Sequence, residues 1–303
     1  VLHGFPTLLV LISVASTILG GCSSPGHENK EDSNKNSQKN SFSTIQVYAA
    51  ISLKEGVLEV GKEFTKQYGH TLSYNFASSN TLAQQILATP KTDVFLSAHP
   101  YWSQKVREKY PQKSTLPRAF LSNQLVLIKS TTKETYTLDY NTVTLCSLFQ
   151  NFPKDKTLLA IGNPKAVPAG TYAQSWLQSI SCTKEVHPSA TLWSLVEHRI
   201  LPTSNVRNVL HYVEHQKNIW GIVYESDLHN TTNQDRIQQI YTISDRELKA
   251  INSPIQYVSM TIHSSQKEAN THQASEEFIH FLSSPAAQTI WKKNGFHVLS
   301  PLD

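Results

Sequence analysis

The chain has 303 residues, of which 39% are hydrophobic and 17% charged, with three cysteines and a formal net charge of +4. That apolar share is enough for a sizeable core in one or two domains and excludes a wholly disordered chain. The charge is mild and no block of Lys and Arg stands out, so a nucleic-acid partner is not expected.

In chain order, residues 5–19 read FPTLLVLISVASTIL, an uncharged apolar run. It is too short for a comfortable bilayer span of roughly 20 residues and has the length of a secretory signal core. The run ends in Leu19-Gly20-Gly21-Cys22, which resembles a bacterial lipobox, in which the Cys is lipidated and becomes the mature N-terminus. Residues 1–21 are therefore expected to be a lipoprotein signal peptide. Residue 1 is Val and only His3 supplies an n-region, which fits a start codon translated literally or a true start upstream. Residues 22–44 are rich in Ser, Asn and Lys with a single aromatic, and are expected to be a flexible tether. As a coil of about 20 residues it would reach roughly 25 Å.

From residue 45 the chain alternates short β-rich runs with amphipathic segments, the pattern of an α/β protein. IQVYAA (45–50) reads as a strand, followed by a helix with Val57, Leu58, Gly61 and Phe64 on one face. TLSYNFA (71–77) is a strand, then TLAQQILA (81–88) a helix carrying Leu82, Ile86 and Leu87. DVFLSA (93–98) is a strand before a helix that includes Trp102 and Val106. QLVLIKS (124–130) and TLLAIGN (157–163) are strands, the latter before a helix through Tyr172 and Trp176. Val206, Val209, Leu210 and Val213 form an i, i+3, i+4, i+7 stripe, with WGIVY (220–224) as the next strand. Phe278, Ile279 and Leu282 form a last stripe; Ser284-Pro285 restarts a helix that Asn294-Gly295 stops.

Four junctions carry the functional signal: Ile51-Ser52-Leu53, Ala77-Ser78-Ser79-Asn80, Val167-Pro168-Ala169-Gly170 and Thr203-Ser204-Asn205. Each is a run of small or capping residues opening a helix, where free backbone N–H groups meet the positive dipole end. Helix capping alone would account for any one of them. In an open α/β sheet such turns lie outside the carboxyl ends of the strands, where ligands bind.

Taken together and in order, AAISL (49–53), NFASSNTLAQQI (75–86), DVFLSA (93–98), GNPKAVPAGTYA (162–173), GIVYESD (221–227) and FIHFLSSPAAQTIWKKNGF (278–296) resemble the motifs of bacterial molybdate-binding proteins, the substrate-capturing components of ABC importers. The resemblance implies a two-lobed periplasmic-binding fold of type II, each lobe a mixed sheet flanked by helices, with two hinge crossings. Lobe one would be 45–121 plus 241–303 and lobe two 122–240. It also implies a monomer that docks on an ABC permease and needs no cofactor, its ligand being molybdate or tungstate.

Carried over by motif, the ligand residues would be Ser52 and Ser79 through hydroxyl and N–H, Ala169 and Val206 through backbone N–H, and Tyr224 through its phenol. Val206 also belongs to the apolar stripe. The chemistry agrees, since a fully ionised tetrahedral dianion has only acceptors and needs only donors around it. Ile51, Asn80 and His99 depart from the family pattern. A binding protein of the same fold for sulfate, phosphate or a small carboxylate is the alternative.

A competing signal is His211-Tyr212-Val213-Glu214-His215, which matches H-x-x-E-H. A zinc hydrolase using His211, Glu214 and His215 is the remote alternative; an exposed histidine pair is the plainer reading. Trp102, Trp193, Trp220 and Trp291 read as core or lobe-surface residues. No G-x-S-x-G or P-loop string occurs. Cys146 and Cys182 flank the V-P-A-G region and either pair as a disulfide or stand as two buried thiols. The expected protein is an exported lipoprotein, not an enzyme, held by Cys22 on the outer face of a bacterial membrane.

Overall fold

A computed structural model describes residues 42–131, 145–150, 156–182, 190–250, 252, 254–263 and 269–299. The expected signal peptide, Cys22 and nearly all of the tether lie outside them. Thr44, assigned to the tether by sequence, opens the first strand, where it pairs with Thr71.

The first sheet begins as a parallel βαβ array. β1 (Thr44–Ala50) leads through a 3-10 turn (Ile51–Leu53) into α1 (Lys54–Tyr68). β2 (Thr71–Ala77), α2 (Ser79–Ala88), β3 (Val94–Ser97), α3 (Pro100–Lys109) and β4 (Arg118–Ser122) follow. β1 pairs in parallel with both β2 and β3, so their carboxyl ends emerge at one edge. Val57, Val60 and Phe64 are fully buried on α1, spaced at i, i+3 and i+7. Leu58, placed on that face by sequence, is 40% exposed. It stands one residue, about 100°, round the helix from Val57, and the buried arc does not extend that far.

The chain then enters a second sheet, made of β5 (Leu125–Ser130), β6 (Leu158–Gly162), β7 (Ile200–Thr203), β8 (Ile219–Tyr224) and β9 (Ile237–Ile243). Its helices are α4 (Leu145–Gln150), α5 (Pro168–Ser179), α6 (Leu192–Val196), α7 (Val206–His215), α8 (Glu225–His229) and α9 (Asp245–Ala250). The strand order is β7-β6-β8-β5-β9, with β6 parallel to β7 and β8 and with β5 antiparallel to β8 and β9. The carboxyl ends of β6, β7 and β8 thus share an edge. Cys146 on α4 and Cys182 just beyond α5 form a disulfide with a Cα–Cα distance of 5.6 Å.

β10 (Tyr257–Thr261), α10 (Ala269–Phe281), α11 (Pro285–Lys293) and β11 (His297–Val298) complete the first sheet, whose order is β11-β4-β10-β3-β1-β2. Two mixed sheets flanked by helices make two lobes. The first crossing runs from Ser122 to Leu125. The return differs from the expected break at 240–241, which falls inside β9; Ile243 still pairs with Leu125, and the first sheet resumes at Tyr257.

Candidate anion site between the lobes

The strand-to-helix turns at the two sheet edges face one cavity of about 220 Å³. Its lining includes Ile51, Ser52, Ser78 and Ser79 from the first lobe, and Ala169, Asn205, Val206 and Tyr224 from the second. All five residues singled out by sequence therefore meet at one place.

Ser52 sits in the 3-10 turn after β1 and is 2% exposed. Its Oγ accepts a hydrogen bond from the Tyr257 hydroxyl at 3.1 Å, and Asn123 Nδ2 donates to that same Tyr257 oxygen at 3.3 Å. The Tyr257 proton is thereby directed at Ser52, leaving the Ser52 proton free to be donated onward. Asn123 stands in the first crossing and Tyr257 opens β10 after the second, so the hinge itself orients a cavity hydroxyl. Ser79 opens α2 and is 1% exposed. Its Oγ accepts from the Ala98 N–H at 2.9 Å, which frees its proton in the same way. Ser78 is committed to capping, accepting from the Thr81 N–H and bonding the Thr81 hydroxyl.

The second lobe offers a different set. Val167 precedes α5 without a side-chain cap, and Pro168 takes the first helical position, where a missing N–H costs nothing. Ala169 follows, in the first turn, where helix N–H groups have no intrahelical acceptor. Gly170 seats this turn on β6: a Cβ there would lie 1.8 Å from the Gly162 carbonyl oxygen. Asn205 caps α7 by accepting from the Asn208 N–H, so Val206 stands at the helix's first position. Its side chain is 3% exposed and joins the core, so the stripe and the cavity position coexist in one residue.

Tyr224, 1% exposed, ends β8, and its hydroxyl has no hydrogen-bond partner among the described residues. Burial, reinforced by Tyr257, pushes its pKa well above the ordinary phenol value, so it remains a protonated donor. Neither an acidic nor a basic side chain is among the cavity-lining residues. The arrangement can hold an anion through N–H and O–H dipoles, and has no group that would compete for a proton.

Of the departures noted in the sequence, Ile51 lines the cavity and Asn80 does not. His99 caps α3 through Nδ1, accepting from the Tyr101 N–H, and stacks on Tyr172 of the other lobe with ring centroids 5.0 Å apart. Tyr257 and Asn123 were not legible as site residues, because their role depends on two hinge crossings that no local pattern encodes.

His211, Glu214 and His215 do come together on the outer side of α7, with ligand atoms within 4.8 Å of one another. Both histidines are exposed, His215 Nδ1 bonds the His211 carbonyl, and the Thr231 hydroxyl donates to Glu214. None of the three lines the cavity.

Known proteins resemble this chain over most of its length. The molybdate-binding protein ModA of Escherichia coli is 28% identical over 256 residues, covering 84% of this chain and 89% of the relative. The solved periplasmic molybdate-binding protein of Azotobacter vinelandii shares the fold, with a TM-score of 0.62, 18% identity, and coverage of 85% of this chain and 100% of that one. The sulfate-binding protein SubI of Mycobacterium tuberculosis does so too, with a TM-score of 0.63 and 13% identity over 86% of this chain and 88% of that one. Residues 45–297 match the family model described as bacterial extracellular solute-binding protein, and the chain belongs to that family.

Proposed function

We propose that the protein captures molybdate or tungstate between its lobes and delivers the anion to an ABC importer. One observation carries the reading: hydroxyls from one lobe and helix N–H groups plus a phenol from the other converge on a small cavity lined by neutral groups. A dianion bridging both sets would stabilise the closed arrangement by its differential affinity for it. Buried neutral dipoles hold such a charge strongly because water is excluded. The ModA relative supports the choice of ligand. The likeness to a sulfate-binding protein is one of fold, and keeps sulfate as the competing anion.

In this reading no bond is made or broken, and His211, Glu214 and His215 take no part. Export and anchoring through Cys22 belong to the same proposal, on the strength of the apolar run and the Leu19–Cys22 string. Among the described residues no helix is long and apolar enough to cross a membrane.

A thermal-shift panel of molybdate, tungstate, sulfate, phosphate and acetate tests the function. Molybdate and tungstate should raise the melting temperature strongly, since ligand binding to the folded state stabilises it by mass action. A larger shift with sulfate or phosphate would reassign the ligand. No shift with any anion would overturn the reading.

A further inference from the structure

Directly beside the cavity residues lies a chain of three charges. Glu55 follows Ser52 by three residues on α1, Arg207 follows Val206 on α7, and Asp227 follows Tyr224 by three residues on α8. Arg207 Nε lies 2.7 Å from Asp227 Oδ1, and its Nη2 pairs with a carboxylate oxygen of Glu55. The two pairs differ in kind. Asp227 is fully buried and belongs to the same lobe as Arg207, so that pair does not depend on how the lobes stand. Glu55 belongs to the other lobe, with its side chain 35% exposed and that of Arg207 21% exposed. When the crevice opens, Glu55 and Arg207 must part, and both have water to receive them.

Asp227 is what makes Arg207 ready for this role. A carboxylate at zero exposure needs a cation, and Arg207 Nε supplies it. That contact holds one edge of the guanidinium while Nη2 meets Glu55 of the first lobe. Arginine suits the task because its planar fork serves two carboxylates at once.

We propose that the Glu55–Arg207 pair is a closure latch: it forms only when the lobes meet and slows release of the bound anion without contacting it. The inference rests on the anion-binding reading for its purpose, but the contact between lobes stands apart from it. Glu55 and Arg207 are positioning residues here. Since the pair forms after encounter, its loss should appear in the dissociation rate and leave the association rate alone.

The test compares the full chain with Glu55→Gln, which keeps the shape of the side chain and removes its charge. Glu59→Gln is the control; Glu59 lies one turn further along α1 and pairs at 3.0 Å with Lys293 of its own lobe. Stopped-flow release of molybdate should be roughly tenfold faster in Glu55→Gln, with the association rate within about twofold of wild type. Added salt should speed release from wild type and leave Glu55→Gln nearly unchanged. Amide exchange read at 203–210, in the opposite lobe, should be faster in Glu55→Gln and unchanged in Glu59→Gln. Equal release and equal exchange in wild type and Glu55→Gln would overturn the latch, as would a slowed association with unchanged release. If wild type binds no oxyanion, the functional reading fails while the exchange at 203–210 still decides the latch: faster exchange supports it, and equal exchange ends it.

Discussion

The two walls of the cavity present hydrogen to an anion in different ways. In the first lobe the donors are hydroxyls already set by the protein: Tyr257 donates to Ser52, and the Ala98 N–H donates to Ser79. In the second lobe the donors are ends: first-turn N–H groups of α5 and α7, and a Tyr224 hydroxyl that has no partner among the described residues. On one wall the hydroxyl oxygens already accept from protein donors, which leaves their protons for a ligand. The other ends in a buried phenol with no hydrogen-bond partner among the described residues, so an acceptor placed beside it gains a donor that no protein group has claimed. Both walls contribute donors to binding; they differ in what each donor does before an anion arrives.

The largest expected effect tests how the second wall is built. Gly170→Ala would put a methyl 1.8 Å from the Gly162 carbonyl, with backbone on both sides and no flexible side chain to give way. A loss of about 3 kcal/mol is expected, or roughly 6–12 °C in melting temperature for a chain of this size. Differential scanning calorimetry checks it, and a wild-type melting curve would show that the helix can shift.

Next come the donors themselves. Ser52→Ala and Ser79→Ala should each weaken anion binding by about 1–3 kcal/mol, five- to 150-fold, because a charged acceptor loses a buried donor. Each also orphans a protein donor, Tyr257 Oη–H or the Ala98 N–H, so the ligand-free protein should lose stability as well. Tyr224→Phe should weaken binding over a similar range but leave the ligand-free melting temperature unchanged or raised, since it removes a hydroxyl with no hydrogen-bond partner among the described residues. Denaturant melts paired with binding isotherms separate the two patterns. If all three variants destabilise the ligand-free protein alike, the contrast between the walls is wrong.

The smallest effect concerns the charges behind the second wall. Burial pushes Asp227 up to about 6 against the pull of Arg207. The folded protein thus holds this proton to higher pH than the unfolded chain, whose carboxylate titrates near 4. Folding takes up a proton between those values, so the contribution of Asp227 to stability is greatest below about pH 4 and declines towards pH 6. Above that it is flat. The difference in unfolding free energy between wild type and Asp227→Asn, followed from pH 4 to 7, should show this decline. A rise over that range would reverse the assignment.

Much of the site was legible in the sequence because it consists of local events. A strand that ends in Ser78-Ser79, or in Val167-Pro168-Ala169-Gly170, declares a helix start by capping and by the fixed φ of proline. What failed to show is non-local. β4, β9 and β10 carry Ser, Thr, Gln or Arg among their apolar residues, and their pairing is with strands distant in sequence. The hydrogen bond from Tyr257 to Ser52 spans 205 positions, and the Arg207–Glu55 contact spans 152. No periodicity announces either. Leu58 fails for a smaller reason, the width of one helical face.

The central claim is that donors from both lobes, rather than a fixed positive charge, hold a tetrahedral dianion. The most direct test is calorimetric titration of molybdate into wild type and Tyr224→Phe. One anion per chain should bind wild type, and the variant should bind at least fivefold more weakly with its fold intact. Equal affinity in the two, or no binding to wild type, would contradict the account.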